Sequence, residues 1–254
     1  MVNSQSHPLG YESKVVGLPG RHFYRYVDVH PPEGTKTIIT ALLLHGFPDS
    51  AYGWRHQIKG WSGRGIRLII PDTIGYHGSS QPTSLEDYST QRQSDDLEEL
   101  VHRAGVPKGE KIVVIAHDWG AITTNRLIQF KPDLCKAAVN LCVPFIPRSP
   151  EYVPLEKLIE LYPNFQYQAF LASRESTAIT NANVERFIQV MFTSAKQREE
   201  GEVPDLEKTG VIENWLKDQS QTVTSELLTK EESDTMVDEI KAGVGFGYAV
   251  PLLY

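Results

Sequence analysis

The chain has 254 residues, enough for one large domain or for a core with a lid. Its composition is that of a soluble globular protein, 40% hydrophobic and 22% charged, with a net charge of −7. An acidic balance without a basic cluster argues against nucleic acid and anionic membrane surfaces as partners.

Residues Met1 to Gly20 show no charged-then-apolar leader pattern. The longest early apolar run, Ala41 to Leu44, is far too short to cross a bilayer, so a cytoplasmic location is expected. Lys14 to Leu18 and His22 to His30 read as strands, parted by Leu18-Pro19-Gly20. Thr37 to Leu44 is a third, almost wholly apolar and so expected to be buried on both faces. It runs into His45-Gly46-Phe47-Pro48, and a helix is predicted from about Tyr52 to Trp61. Ile66 to Ile70 is the next buried strand, followed by Pro71-Asp72 and a Gly/Ser-rich loop, Gly75 to Pro82. Ser89 to Ala104 is amphipathic, with Leu97, Leu100 and Val101 at helical spacing. Ile112 to Ile115 is a strand, Ala121 to Phe130 a helix, and Lys136 to Val143 another buried strand. Strands alternating with helices predict a mostly parallel α/β sheet.

Pro144, Pro147, Pro150 and Pro154 mark a change of character. Residues 1–143 are therefore expected to form the α/β core, and 144–254 a mainly helical lid. Val184 to Phe192 and Glu226 to Ala242 read as helices, joined by a charged, loop-like stretch near Gln197 to Lys208. Cys135 and Cys142 flank a predicted strand, and neither stands at metal-ligand spacing. Buried, inert thiols are expected, and no disulfide between them.

The decapeptide Ile112 to Ala121 contains the chemistry. A small residue, any residue, an acid, any residue and then glycine is the pattern of a nucleophile elbow, with Asp118 where serine is usual. The alternative is a buried strand leading to an Asp-capped helix. In open α/β sheets ligands bind beyond the carboxyl ends of the strands. Three loops leave such ends, through His45-Gly46-Phe47-Pro48, Asp72-Thr73-Ile74-Gly75-Tyr76 and His117-Asp118-Trp119-Gly120, and they are expected to meet in one cleft. His45 and His117 read as structural residues of these turns, and Asp72 as a loop-shaping residue.

These three loops, with Trp54 after the first, resemble the epoxide hydrolase branch of the α/β-hydrolase superfamily. The lid segment Phe165-Gln166-Tyr167-Gln168-Ala169-Phe170 is similar to the one that carries a lid tyrosine in that family, and Leu228 to Glu232 and Gly245 to Tyr254 resemble the approach to a second. The resemblance implies an α/β-hydrolase fold, no cofactor and no metal, and a small hydrophobic epoxide as substrate. Asp118 would attack the epoxide and form a hydroxyalkyl ester. Tyr167, which competes with Tyr152 and Tyr162, would protonate the alkoxide, with Tyr254 as a second, weaker donor. The backbone N–H groups of Phe47 and Trp119 would form the oxyanion hole. A carboxylate suits this chemistry because its ester can later be attacked by water, whereas serine would leave an ether.

The pattern also departs from the family. The superfamily order is nucleophile, acid, histidine, yet the eight histidines are residues 7, 22, 30, 45, 56, 77, 102 and 117. The chain ends at Tyr254 inside the expected lid, as a chain cut short of the last strands would. The strand from Lys136 to Val143 would then be an open apolar edge suited to self-association. Three other readings remain: a dehalogenase, a non-catalytic binding protein and an incomplete chain. Phe47, apolar where dehalogenases carry a halide-holding polar residue, weighs against the first.

Overall fold

The apolar segments of the first half pair into one sheet. In a computed structural model of the chain its strands are β1 (Ser13–Gly17), β2 (Phe23–Val29), β3 (Ile39–Leu44), β4 (Ile66–Pro71), β5 (Ile112–His117) and β6 (Cys135–Leu141). The structure describes residues 6–20, 22–147, 151, 153–173, 175–206 and 208–243. The six strands lie in the order β1-β2-β4-β3-β5-β6. β2 is antiparallel to β1 and β4, while β4, β3, β5 and β6 run parallel.

Alternation explains why β3 is apolar but for Thr40. Ala41 and Leu43 join Val27, Val29, Leu68 and Ile70 in a cluster with Ala51, Trp54 and Ile58. The last three come from the 3-10 turn Ala51–Trp54 and the helix α1 (Arg55–Ser62). Leu42 and Leu44, of opposite parity, are equally inaccessible. Helix α3 (Trp119–Phe130) packs on β3, β5 and β6, and α2 (Thr90–Arg103) packs on α3. Each fully buried leucine or isoleucine stabilises the fold by about 1.5–3 kcal/mol, so hydrophobic stabilisation concentrates in the middle of the sheet.

Four local expectations are corrected. The helix over 52–61 is split, because the Ser50 hydroxyl accepts the Tyr52 N–H and starts a 3-10 turn before α1. The helix after β5 starts at Trp119, directly on the elbow. β6 is not buried: Val139 is 45% and Leu141 42% exposed. It is the last strand in the sheet order, so apolar composition did not bring burial with it. The cysteines are not buried either, since Cys135 is half-buried and Cys142 exposed. Cys142 lies beyond β6 at a φ of 74°, and both thiols are free.

Asp72, at the carboxyl end of β4, sits in a buried ionic knot. Its Oδ2 accepts from Arg25 Nε (2.6 Å) and lies 3.2 Å from His7 Nε2, and its Oδ1 accepts the Ala51 N–H at 3.2 Å. The knot ties β2, β4, the 3-10 turn and the N-terminal segment together.

The chain divides into two compact units, 1–147 and 148–254. The described part of the second is helical: α4 (Leu155–Leu161), α5 (Gln166–Leu171), α6 (Ser176–Ala182), α7 (Val184–Met191), α8 (Ala195–Glu199), α9 (Val211–Lys217) and α10 (Lys230–Ala242). Phe187 and Ile188 of α7 are fully buried, and α7 packs on α10. The helix expected from Glu226 starts at Lys230 because Thr229 caps it, its hydroxyl accepting the Glu232 N–H while the Glu232 carboxylate accepts the Thr229 N–H. The stretch expected as a loop from Gln197 lies partly in α8, which starts from a Ser194–Gln197 capping box. No helix among the described residues is long and apolar enough to cross a membrane.

Candidate active site

Asp118 stands between β5 and α3 with φ 51° and ψ −121°. A side-chain-bearing residue reaches that region only where its surroundings force it to. Two close approaches do so here. At Gly120 an added Cβ would lie 2.5 Å from the Leu44 carbonyl oxygen and 2.6 Å from that of His45. At Gly46 it would lie 2.5 Å from the Asp118 side chain. Only glycine lets α3 start so near the end of β3 and lets the acid lie against the first loop.

The Asp118 carboxylate does not cap the helix it starts. Its Oδ1 instead accepts the backbone N–H of Phe47 at 2.9 Å. The Asp-capped alternative therefore fails, and the acid is presented across the sheet end to the first loop. The Asp118 N–H, for its part, donates to the Leu141 carbonyl at the end of β6 (3.2 Å).

The three strand-end loops do converge. The Thr73 N–H donates to His45 Nε2 at 3.0 Å, joining the first loop to the second. An imidazole nitrogen that accepts carries no proton, so the proton sits on Nδ1, which donates to the Gly46 carbonyl at 2.9 Å. Burial lowers the His45 pKa, although the charges of Asp72 and Asp49 and the Gly46 hydrogen bond oppose it. The imidazole is thereby held neutral. Tyr76 meets His45 edge to face, with ring centroids 4.5 Å apart, and its hydroxyl donates to the same Gly46 carbonyl at 3.2 Å. Burial, then the charge of Asp118, pushes the Tyr76 phenol well up, so it stays protonated and a donor.

His117 takes another direction. Together with His45, Asp49, Trp54 and Gln57 it lines a cavity of about 200 Å³ in the first unit. Burial raises the Asp49 carboxyl. Burial also raises the Cys142 thiol, and the charge of Asp118 adds to the effect.

Of the residues singled out from sequence, Asp118 and Phe47 are in direct contact and Trp119 is the first residue of α3. Tyr167 lies on α5 in the second unit, its hydroxyl accepting from Gln168 Nε2 at 3.3 Å. Tyr254 is outside the described residues. The bonds of Tyr76 and His45 to Gly46 were missed. The only signal for Tyr76 was its place in the Asp72-to-Tyr76 loop.

A family model described as alpha/beta hydrolase fold matches residues 41–227. The chain belongs to the alpha/beta hydrolase fold family. Among curated relatives it is similar to epoxide hydrolase srdG of Neurospora crassa, 32% identical over 184 residues that make up 70% of this chain and 54% of the relative. It is also similar to epoxide hydrolase 3 of Siraitia grosvenorii, 43% identical over 117 residues, 46% of this chain and 35% of the relative. The crystal structure of epoxide hydrolase A from Mycobacterium thermoresistibile superposes with a TM-score of 0.76 at 28% identity, covering 95% of this chain and 73% of that one. The chain thus spans about half, or less, of the length of these curated relatives.

Proposed function

We propose that this chain opens small hydrophobic epoxides by nucleophilic attack of Asp118. The observation that carries the reading is the Asp118 carboxylate itself, held on a positive-φ elbow, not capping its own helix, with Oδ1 fixed by the Phe47 N–H. In this reading Oδ2 attacks an epoxide carbon, the carbon–oxygen bond of the ring breaks, and the ring oxygen leaves as an alkoxide. The alkoxide takes its proton from Tyr167, with Tyr254 as a second donor; both assignments rest on the resemblance of their segments, with residues 144–254 acting as a lid. Oδ1 becomes the carbonyl oxygen of the ester. It already sits on the N–H that would hold it as an oxyanion when water attacks the ester carbon, and the Trp119 N–H is the proposed second donor. No cofactor or metal enters these steps.

Release of a diol needs a base to activate that water. The eight histidines all precede Asp118, and the reading assigns this base to none of them. The first half-reaction is therefore the one to expect from these 254 residues. A dehalogenase is not favoured, since the relatives named are epoxide hydrolases. The open edge of β6 supports one further part of the reading, pairing between two copies of the chain.

Intact-mass spectrometry after incubation with styrene oxide tests the proposal. One added epoxide per chain is expected, with none on Asp118→Asn. Binding without any adduct would make the chain a non-catalytic binding protein, and steady turnover would overturn the stalled ester.

A further inference from the structure

The Gly46–Phe47 peptide is bonded on both sides. Its N–H donates to Asp118 Oδ1 at 2.9 Å. Its carbonyl accepts from His45 Nδ1 at 2.9 Å and from the Tyr76 hydroxyl at 3.2 Å. We propose that Tyr76 and His45 are positioning residues that hold and polarise this peptide from its carbonyl side, so that the Phe47 N–H is a stronger and better-aimed donor to Asp118. The proposal rests on the reading of Asp118 as nucleophile.

Amide resonance couples the carbonyl to the N–H of one peptide. Hydrogen bonds donated to the oxygen draw electron density towards it and leave the N–H more acidic. Chains of hydrogen bonds in a poorly solvated site strengthen one another in this way. The chain here runs from two donors, through one peptide, to one carboxylate oxygen.

Both donors are themselves fixed. His45 is only 2% exposed, and its Nε2 is occupied by the Thr73 N–H, which leaves Nδ1 as the protonated nitrogen. Tyr76 stacks edge to face on that imidazole. The two residues come from loops after different strands, β3 and β4, so the peptide is held against displacement from two directions. Once the ester forms, Oδ1 is its carbonyl oxygen, and in the attack by water it gains a full negative charge. A donor strengthened beforehand is worth most at that point, because it needs no reorganisation.

The test is Tyr76→Phe, which deletes one hydroxyl and keeps the ring. Two quantities are read: the backbone ¹H and ¹⁵N resonances of Phe47, and the rate at which the isolated styrene oxide adduct is lost to water, followed by intact mass. The expected result is an upfield shift of the Phe47 amide proton and an adduct lost about tenfold more slowly, the size of one hydrogen bond, with adduct formation no slower than in the parent. A merely structural role would not move the amide proton and slow ester hydrolysis while sparing adduct formation. An unmoved Phe47 amide overturns the proposal whatever the rate, and so does an unchanged rate of adduct loss. If Tyr76→Phe does not fold, 3-fluorotyrosine at position 76 serves instead. Its more acidic phenol should shift the Phe47 amide downfield, and no shift overturns the proposal. If the parent forms no adduct, the reading of Asp118 fails, and the amide resonance alone then decides the clamp.

Discussion

Burial alone would push the Asp72 carboxyl up, but the hydrogen bond from His7 and the charge and hydrogen bond of Arg25 outweigh it and lower it from 3.8 to about 2. A depressed carboxylate stabilises the fold in full above its unfolded value, and that stabilisation is lost as pH falls from about 4 through about 2. The difference corresponds to about 2 kcal/mol. Asp72→Asn should lower the unfolding free energy at pH 7 by about 3 kcal/mol, because it leaves Arg25 and His7 buried without the acid. Urea denaturation measures this, and the gap between parent and variant should narrow near pH 2. An equal gap at both pH values would assign the loss to packing instead. His45 works in the same direction, since a pKa lowered by burial means that folding disfavours its proton and stability declines as pH drops below about 6.5. The position of Asp118 on an elbow was legible in the sequence, because it sits inside a short motif with fixed spacing. The anchoring of Asp72 was not, because its partners Ala51, Arg25 and His7 lie 21, 47 and 65 residues away. The bond of Tyr76 to Gly46 spans 30 residues and was hidden for the same reason.

Strands and helices were read well where side-chain periodicity is the controlling force. β3 and β5 sit in the sheet interior, and their apolar runs fix both existence and place. Boundaries set by single hydrogen bonds were read less well, as at Thr229, whose cap decides where α10 starts. The junction of β3 with α3 depends on one missing side chain. Gly120→Ala would drive a methyl group into the Leu44 and His45 carbonyls, which are backbone and cannot rotate aside. A loss of about 1–3 kcal/mol is expected, measured as a lower melting temperature. A neutral result would show that α3 can slide, and with it Asp118.

At the scale of the whole molecule, the sheet formed by the described residues ends in an exposed, partly apolar edge. The apolar run of β6 reads by itself as a buried strand, and only the resemblance to a longer sheet made it an expected open edge, because what covers a strand is a property of the rest of the fold. Two copies related by a two-fold axis would pair β6 antiparallel. Centred on Ala138, that register sets Lys136 against Asn140 and Ala137 against Val139, so no like charges face each other. Reversible, concentration-dependent dimerisation is therefore expected in sedimentation velocity. Ala138→Lys would place a lysine opposite its own copy and should abolish the dimer while leaving the melting temperature of this exposed position unchanged. A parent chain that is monomeric at every concentration would refute this pairing.

The backbone at Asp118 places reactivity and repose in competition. At φ 51° a glycine would rest where the aspartate is strained. The one replacement that relieves this strain removes the carboxylate with it, so at position 118 backbone ease and the presence of an acid exclude each other.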